Sequence, residues 1–247
     1  MEGYDESTYG QRWSPYYDDI YDKVDDSLID LLQRHAGEPP RALELAIGTG
    51  RVALPLRERG VDVTGIDASE DMVARMRAKP GGEDIAVTIG DFANVGVDGT
   101  FPLIYLTFNT IFGLLTQELQ IECFQNVAAH LEPGGRFIID CFVPDVRRFD
   151  HTNTRIGVSS IDSVDQHSYE MTVYDPVRQR LSTHLVKRLA GGQTVVLPVE
   201  IRFCWPSELD LMARLAGVTL EDRFGWYDLR PFTDRSTNHV SVYRKPE

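Results

Sequence analysis

Residues 41–50, RALELAIGTG, decide the fold, because an apolar run here ends in two closely spaced glycines. The part ALELAI predicts a buried strand, and RVALPLRER directly after it predicts a helix. Gly48 and Gly50 lie in the turn between them, where glycine allows a tight turn and the close approach of a ligand to the backbone. With Ala53 they satisfy the dinucleotide-binding pattern G-x-G-x-x-A, and Asp67 ends the next predicted strand. The stretch therefore predicts a strand, a ligand-binding turn and a helix in succession.

The same alternation continues to about residue 144. The segments VDVTGID, IAVTIGD, PLIYLTF and RFIIDCFV predict strands, and SEDMVARMRAK and QELQIECFQNVAAHL predict helices. Two later strands, VTLEDRFGWYD and HVSVYRK, follow the helix PSELDLMARLAG. This order predicts an α/β fold with a doubly wound, mostly parallel sheet of seven strands.

Between these parts the pattern changes. The runs HSYEMTVYD, RLSTHLVKRL and TVVLPVEIRF alternate apolar and polar residues, which predicts antiparallel strands inserted before the last helix. We therefore expect an N-terminal helical lid over 1–40, a cofactor-binding domain over 41–150 and 205–247, and an inserted β lobe over 151–204. The inserted strands are expected to cover the acceptor pocket or to pair two subunits as a homodimer.

Composition restricts the possible partners. The formal net charge of −13 over 247 residues disfavours nucleic acid and anionic lipid surfaces. No apolar run approaches the ~20 residues of a membrane span, and the start MEGYDESTYG lacks the features of a signal peptide, so we expect a cytoplasmic protein. The three cysteines are scattered without metal-ligand spacing, so no metal site is predicted.

Four further features accompany the glycine turn. Glu44 lies inside the first strand, Asp67 lies in VTGIDAS, Asp91-Phe92 follows the third strand, and LEPGG leads from a helix into the fifth strand. Together they resemble class I S-adenosylmethionine-dependent methyltransferases, which have a Rossmann-like fold. The resemblance covers roughly residues 41–143 and the terminal helix and strand pair, and it implies S-adenosyl-L-methionine as the cofactor.

The resemblance also implies a set of cofactor-binding residues. The family motif is acidic-x-Gly-x-Gly-x-Gly, and Ala46 stands at its first glycine, where alanine is tolerated if its φ is negative. By resemblance, the residues for the methionine part are Glu44, Ala46, Gly48 and Gly50, those for the ribose are Asp67 and Ala68, those for the adenosine are Met72, Asp91 and Phe92, and those facing the cofactor from the fourth strand and the lid are Thr107, Asn109 and Trp13.

Candidate catalytic residues follow from the expected antiparallel last strand. The start of that strand and the end of the strand before it should both reach the cofactor edge of the sheet. This places the catalytic candidates His239 and Asp228 there, opposite Tyr17 of the lid, which is the third candidate. Histidine, with an ordinary pKa near ~6.5, suits a general base that takes the proton of an ammonium acceptor. Asp228 is expected to orient His239 or to hold the cationic centre of the substrate.

The whole-chain pattern resembles bacterial sugar N-methyltransferases, which act on nucleotide-linked aminosugars in antibiotic biosynthesis. Those enzymes often have S-S-I-G-H after the fourth strand, whereas this chain has Asn109-Thr-Ile-Phe-Gly113, without the histidine. The leading hypothesis is N-methylation of a dTDP-linked deoxyaminosugar. The alternatives are O-methylation of a natural-product hydroxyl, a nicotinamide-dependent oxidoreductase, and a nonenzymatic cofactor-binding module.

Overall fold

Two β-sheets organise the computed structural model, which describes residues 1–4, 6–21, 23–94 and 96–247, the side chains of residues 6 and 7 excepted. Its strands, in chain order, are β1 Arg41–Leu45, β2 Asp62–Asp67, β3 Ala86–Ile89, β4 Phe101–Leu106, β5 Leu131–Phe142, β6 Thr154–Ile161, β7 His167–Asp175, β8 Arg180–Arg188, β9 Thr194–Arg202, β10 Thr219–Phe224 and β11 Asn238–Arg244.

The larger sheet has seven strands in the order β10-β11-β5-β4-β1-β2-β3. Strand β11 runs antiparallel to β10 and β5, and the pairs from β5 through β3 are parallel. The smaller sheet is the antiparallel meander β6-β7-β8-β9. The structure confirms the predicted doubly wound, mostly parallel sheet with an antiparallel insertion. The division of the chain into lid, core and inserted lobe stays a prediction.

Three of the described helices begin at a capping side chain. The helices are α1 Glu6–Trp13, α2 Tyr17–Ile20, α3 Asp26–His35, α4 Ala53–Glu58, α5 Glu70–Arg77, α6 Gln117–His130 and α7 Pro206–Leu215. Asp25, Ser69 and Thr116 each accept a hydrogen bond from a backbone N–H in the first turn of α3, α5 and α6. Within the described ranges, no helix combines the length and the apolarity needed to cross a bilayer.

Strand alternation divides the large sheet into two faces. On one face Ala42, Leu103 and Tyr105 pack with the apolar residues of α3 and α4. On the other face Leu43 and Leu45 pack with those of α6 and α7. The buried apolar side chains of β1 and β4 therefore divide between two separate cores, and this decides which polar groups can meet.

A buried amide joins the two sheets. Gln120 of α6 is fully buried, and its Nε2 donates to the backbone carbonyls of Ile111, Leu114 and Arg202 at 2.8–3.2 Å. Its Oε1 accepts a hydrogen bond from Nη1 of Arg202, the last residue of β9, at 2.6 Å. Arg202 also pairs with Glu208 of α7 at 2.7 Å. The small sheet is thus anchored to α6 and α7 by a buried polar network.

Gln120→Met should lower the free energy of unfolding by about 2–4 kcal/mol, because it removes the acceptor of Arg202 Nη1 and the side-chain donor to three buried backbone carbonyls. Urea denaturation followed by circular dichroism measures the loss. The control is Gln125→Met on the exposed face of the same helix, which should change stability by less than about 0.5 kcal/mol. Equal stability of the two variants would show that the amide does not anchor the sheet.

Candidate active site

The loop after β1 has an unusual backbone. The φ angles of Ala46, Gly48 and Gly50 are +55°, +57° and +74°, all in the left-handed region. A Cβ at Gly50 would lie 2.5 Å from Cγ of Met76, so this position also needs glycine for close packing. Ala46 does not keep a negative φ, and the left-handed conformation costs an alanine about 1–2 kcal/mol. The turn lies at the carboxyl edge of the sheet, directly after β1.

Asp67, the last residue of β2, ties this loop to the next one. Its Oδ2 accepts a hydrogen bond from Gly48 N at 2.7 Å, and its Oδ1 accepts one from Ser69 N at 2.8 Å. Burial raises the pKa of Asp67, although both N–H donors act in the opposite direction. Each carboxylate oxygen retains a free lone pair. Asp67, with half-buried Ala68 beside it, is therefore suited to accept the hydrogen bonds of two hydroxyls.

Glu44 is buried in β1, one residue before the carboxyl end of this strand. In β1 it lies between Gly65 of β2 and Tyr105 of β4, and Tyr105 Oη donates to its Oε2 at 2.9 Å. Burial raises the pKa of Glu44 to about 8, although the hydrogen bond from Tyr105 and the charge of Arg51 lower it. Glu44 is therefore largely protonated at neutral pH in the protein alone.

Asp140 is a residue of this edge that was not predicted from the sequence. This residue of β5 is 4% exposed, lies on the same face of the sheet as Glu44, and accepts a hydrogen bond from Phe108 N at 2.8 Å. Burial raises its pKa to about 6. Phe108 and Asn109 both have positive φ angles, 60° and 62°, so Asp140 stabilises a strained pair at the end of β4. An aspartate inside the apolar run RFIIDCFV was the available signal.

Arg51, which was also not predicted from the sequence, follows the glycine turn. Its guanidinium carbon lies 3.5 Å from the ring centroid of Phe108. The rings of Tyr17 and Tyr21 lie 5.6 and 5.4 Å from the same atom. Its charge lowers the pKa of both Glu44 and Asp140. An arginine directly after Gly50 was the signal in the sequence.

The N-terminal segment covers this edge. Trp13 is 3% exposed, stacks on Tyr9 at 5.2 Å, and packs with Met72 of α5 and Leu197 of β9. Its Nε1 donates to the carbonyl oxygen of Pro198 at 3.0 Å. The N-terminal segment thus lies between the large sheet and the small one.

The same segment is also bonded to the glycine turn. Oδ1 of Asp18 accepts hydrogen bonds from Thr49 Oγ1 at 2.6 Å and from Lys79 Nζ at 2.9 Å. Burial raises the pKa of Tyr17, which keeps its hydroxyl protonated beside Arg51. Tyr17 is therefore a donor and an aromatic wall rather than a base.

The other predicted cofactor residues follow the neighbouring strands. Thr107 is buried and Asn109 accepts a hydrogen bond from Phe142 N, which fixes the loop after β4. Asp91 and Phe92 open the short 3-10 turn after β3, where Asp91 accepts a hydrogen bond from Ala93 N at 2.9 Å. All of them lie at the carboxyl ends of parallel strands. Their contacts with the adenine and the methionine part stay predictions.

His239 does not join this group. It is fully buried in β11, opposite Cys141 of β5, and its Nδ1 lies 2.9 Å from Ser241 Oγ. Burial and then the charge of Arg223 lower its pKa to about 3. Topology does bring the start of β11 to the sheet edge, but the alternation of side chains turns His239 to the face opposite Glu44 and Asp140. The structure therefore contradicts its predicted role as general base.

Asp228 does not orient His239 either. Its carboxylate forms a bidentate pair with Arg230 on the surface, with the closest contact at 2.7 Å, and this pairing lowers its pKa. His239 has Ser241 and the ring of Phe232 as neighbours. Asp228 and His239 belong to separate interactions, and the predicted catalytic pair is not formed.

The arrangement fits the cofactor that the sequence implies. The left-handed turn lies at the carboxyl edge of the sheet, Asp67 has free lone pairs for ribose hydroxyls, and the buried carboxyl of Glu44 suits a cationic group. In the described part of the chain, no group of three or more His, Cys, Asp or Glu side chains is placed to hold a metal ion.

Glu44→Gln should flatten the pH dependence of stability. The pKa of Glu44 is higher in the folded protein than its unfolded value near ~4.3, so the folded state binds more protons between these values. Its contribution is complete below the lower pKa and is lost as pH rises to about 8. The wild type should lose up to ~1.4 kcal/mol per pH unit more than the variant over this range.

Urea denaturation from pH 5 to 8.5 measures the difference. Exposed Glu58 provides the control, since Glu58→Gln should leave the wild-type slope unchanged. Parallel curves for wild type and Glu44→Gln would mean that Glu44 is ionised in the folded protein.

Comparisons with known proteins agree with this site. Residues 42–135 match the model of a family described as a methyltransferase domain. The methyltransferase CcbJ from Streptomyces caelestis is 34% identical, with a TM-score of 0.87 over 99% of this chain and 100% of that one. The cypemycin N-terminal methyltransferase of a Streptomyces species is 29% identical over 205 residues, 82% of each chain.

A third relative is the dTDP-3-amino-3,4,6-trideoxy-alpha-D-glucopyranose N,N-dimethyltransferase of Streptomyces venezuelae. It is 26% identical over 175 residues, which are 64% of this chain and 73% of the relative. The family match includes β1, the glycine turn and Asp67, the elements that form the cofactor edge. This agreement decides against the oxidoreductase alternative. The chain belongs to the class I methyltransferases that use S-adenosylmethionine as their cofactor.

Proposed function

We propose that this protein methylates the amino group of a small molecule, with a dTDP-linked deoxyaminosugar as the leading acceptor and antibiotic biosynthesis as its setting. The proposal rests on the complete burial of His239, on the face of the sheet opposite Glu44 and Asp140. A hydroxyl acceptor benefits from a general base, whereas an amine needs only to arrive neutral. A histidine with a pKa of about 3 on the wrong face of the sheet cannot serve a hydroxyl.

The inner face of the small sheet supports an acceptor with both an amine and hydroxyls. Glu170, Thr172 and Thr183 share the face on which Leu197 packs against the lid. Glu170 pairs with Arg155 at 3.6 Å and its charge contributes to raising the pKa of Tyr21. A carboxylate and two hydroxyls beside an aromatic wall suit an ammonium group on a sugar ring.

Different residues of the chain bind the cofactor and exclude water. When bound, S-adenosylmethionine supplies an electrophilic methyl group on its sulfonium sulfur. The glycine turn and Asp67 hold it in place, while Trp13, Tyr17 and Phe108 exclude water from the edge. Close alignment of the acceptor nitrogen is then the main catalytic contribution. The acceptor ammonium gives its proton to solvent before the amine enters this edge, because the described residues at the edge include no accessible histidine.

Two relatives support nitrogen as the acceptor atom. One is named for an N-terminal amine and the other for an amino group on a dTDP-linked sugar. The amines in these two names belong to molecules of very different size. The polar inner face of the small sheet is the reason to prefer the sugar.

A panel of three acceptors tests the proposal: a dTDP-linked 3-amino-deoxysugar, its 3-hydroxy counterpart, and a short peptide with a free N-terminus. With S-adenosylmethionine present, mass spectrometry should detect methylation of the aminosugar alone. Turnover should increase with pH as the free amine accumulates. Methylation of the hydroxy sugar would favour O-methylation, and methylation of the peptide alone would replace the sugar with a peptide acceptor.

We also propose that the protein forms a homodimer through the outer face of the small sheet. Ile156, Val158 and Val173 are 76%, 72% and 54% exposed there, and Met171 and Val196 lie on the same face. Contiguous exposed apolar surface of this kind is typical of an interface. A second copy of the chain would cover it without a change in the cofactor edge.

Sedimentation velocity should therefore find a dimer at micromolar concentration. The double substitution Ile156→Lys and Val158→Lys should yield monomers that still bind S-adenosylhomocysteine. Val164→Lys and Val177→Lys, at equally exposed positions outside this face, should leave the dimer intact. A wild-type protein that sediments as a monomer at every concentration would end the proposal.

A further inference from the structure

Arg51 differs from the other inward-facing arginines of the described chain. Arg202 pairs with Glu208 at 2.7 Å and Arg223 pairs with Asp210 at 2.6 Å. Arg51 forms no such ion pair with a described carboxylate, and its one described hydrogen bond is a long one, 3.4 Å from Nη2 to Tyr17 Oη. Its Nε is fully buried without a hydrogen-bond partner among the described residues.

A buried guanidinium donor without an acceptor is unfavourable, because it has lost water and gained nothing in return. The surroundings nevertheless fix this side chain in place. It lies against the ring of Phe108 at 3.5 Å, and Phe108 is itself held by the carboxylate of Asp140. Arg51 is thus a rigid donor whose acceptor is not part of the described protein.

The nearby charges indicate the kind of acceptor. Glu44 and Asp140 lie close enough for the charge of Arg51 to lower their pKa, yet Glu44 is bonded to Tyr105 and Asp140 to the backbone of Phe108. The cofactor edge therefore presents one guanidinium and one buried carboxyl that form no ion pair with each other. This combination matches a zwitterion with an ammonium and a carboxylate on one carbon.

The neighbouring cation, Lys79, already has two hydrogen-bond acceptors within the protein. Lys79 Nζ donates to Asp18 Oδ1 and to the carbonyl oxygen of Thr49, both at 2.9 Å. The planar fork of an arginine also matches a carboxylate in a way that a lysine does not. Arg51 lies on the same loop as Gly48 and Gly50, so it reaches whatever that turn holds.

We propose that Arg51 binds the carboxylate at the amino-acid end of S-adenosylmethionine, with Glu44 as the partner of its ammonium group. The loop thus supplies both the backbone turn and the cation for the cofactor. This inference concerns the cofactor alone and goes beyond the proposed acceptor.

Calorimetric titration of the full chain with two ligands tests it. One ligand is S-adenosylhomocysteine, and the other is its decarboxylated analogue, which keeps the adenosine and the ammonium. The wild type should prefer the carboxylate-bearing ligand by about tenfold to a hundredfold, the range expected for hydrogen bonds between charged groups. Arg51→Gln should lose this preference and still bind the analogue. Arg51→Lys, which keeps the charge without the fork, should retain part of it.

Arg57→Gln on α4 is the matched control. Its guanidinium faces Asp84 at 3.9 Å, away from the turn, so the full preference should remain. An Arg51→Gln protein that keeps the wild-type preference would overturn the proposal, because another group would then bind the carboxylate. Equal losses for both ligands would also overturn it, since Arg51 would then only shape the loop. Neither titration contains an acceptor, so failure here is distinguishable from failure of the proposed function.

Discussion

The two hydrogen bonds that Asp67 accepts organise the cofactor edge. They join Gly48 of the first loop to Ser69 of the second, at 2.7 and 2.8 Å. Ser69 in turn caps α5, and α1 passes so close to it that a Cβ on Gly10 would lie 2.2 Å from Ser69 Oγ. One carboxylate therefore positions the glycine turn and the start of α5, against which α1 packs.

The charges of the site share one face of the sheet. Glu44 and Asp140 occupy positions where strand alternation points them toward α3, α4 and the N-terminal segment, together with Tyr105. Burial raises the pKa of both carboxyls, so the protein carries less negative charge there than the sequence suggests. A cationic ligand at this edge would favour their ionised forms, which couples ligand binding to proton release.

The N-terminal segment connects the two sheets through its aromatic side chains. Trp13 contacts Met72 of α5 and donates a hydrogen bond to Pro198 of the small sheet, while Tyr17 and Tyr21 flank Arg51. The far end of the small sheet is held independently, by Gln120 and Arg202. Because the small sheet has its own anchor, the N-terminal segment lies between two surfaces whose separation is already fixed. This arrangement suits a pocket closed to water.

The sequence alone determined the order of the elements, the seven-stranded sheet, the inserted antiparallel strands and the cofactor turn, because hydrophobic periodicity and glycine placement are local signals. It also identified Glu44 and Asp67, each of which stands out as an acidic residue within or ending an apolar strand. Only the tertiary structure decided which face a strand residue occupies relative to residues of other strands. His239 and Asp140 belong to neighbouring strands, but His239 pairs with Cys141, one residue beyond Asp140. The side chain of the histidine therefore points into the opposite core, whereas that of the aspartate faces the site. The same holds for Arg51, whose meaning depends on Phe108, Tyr17 and Tyr21 arriving from distant parts of the chain, since burial and pairing are properties of the packed fold.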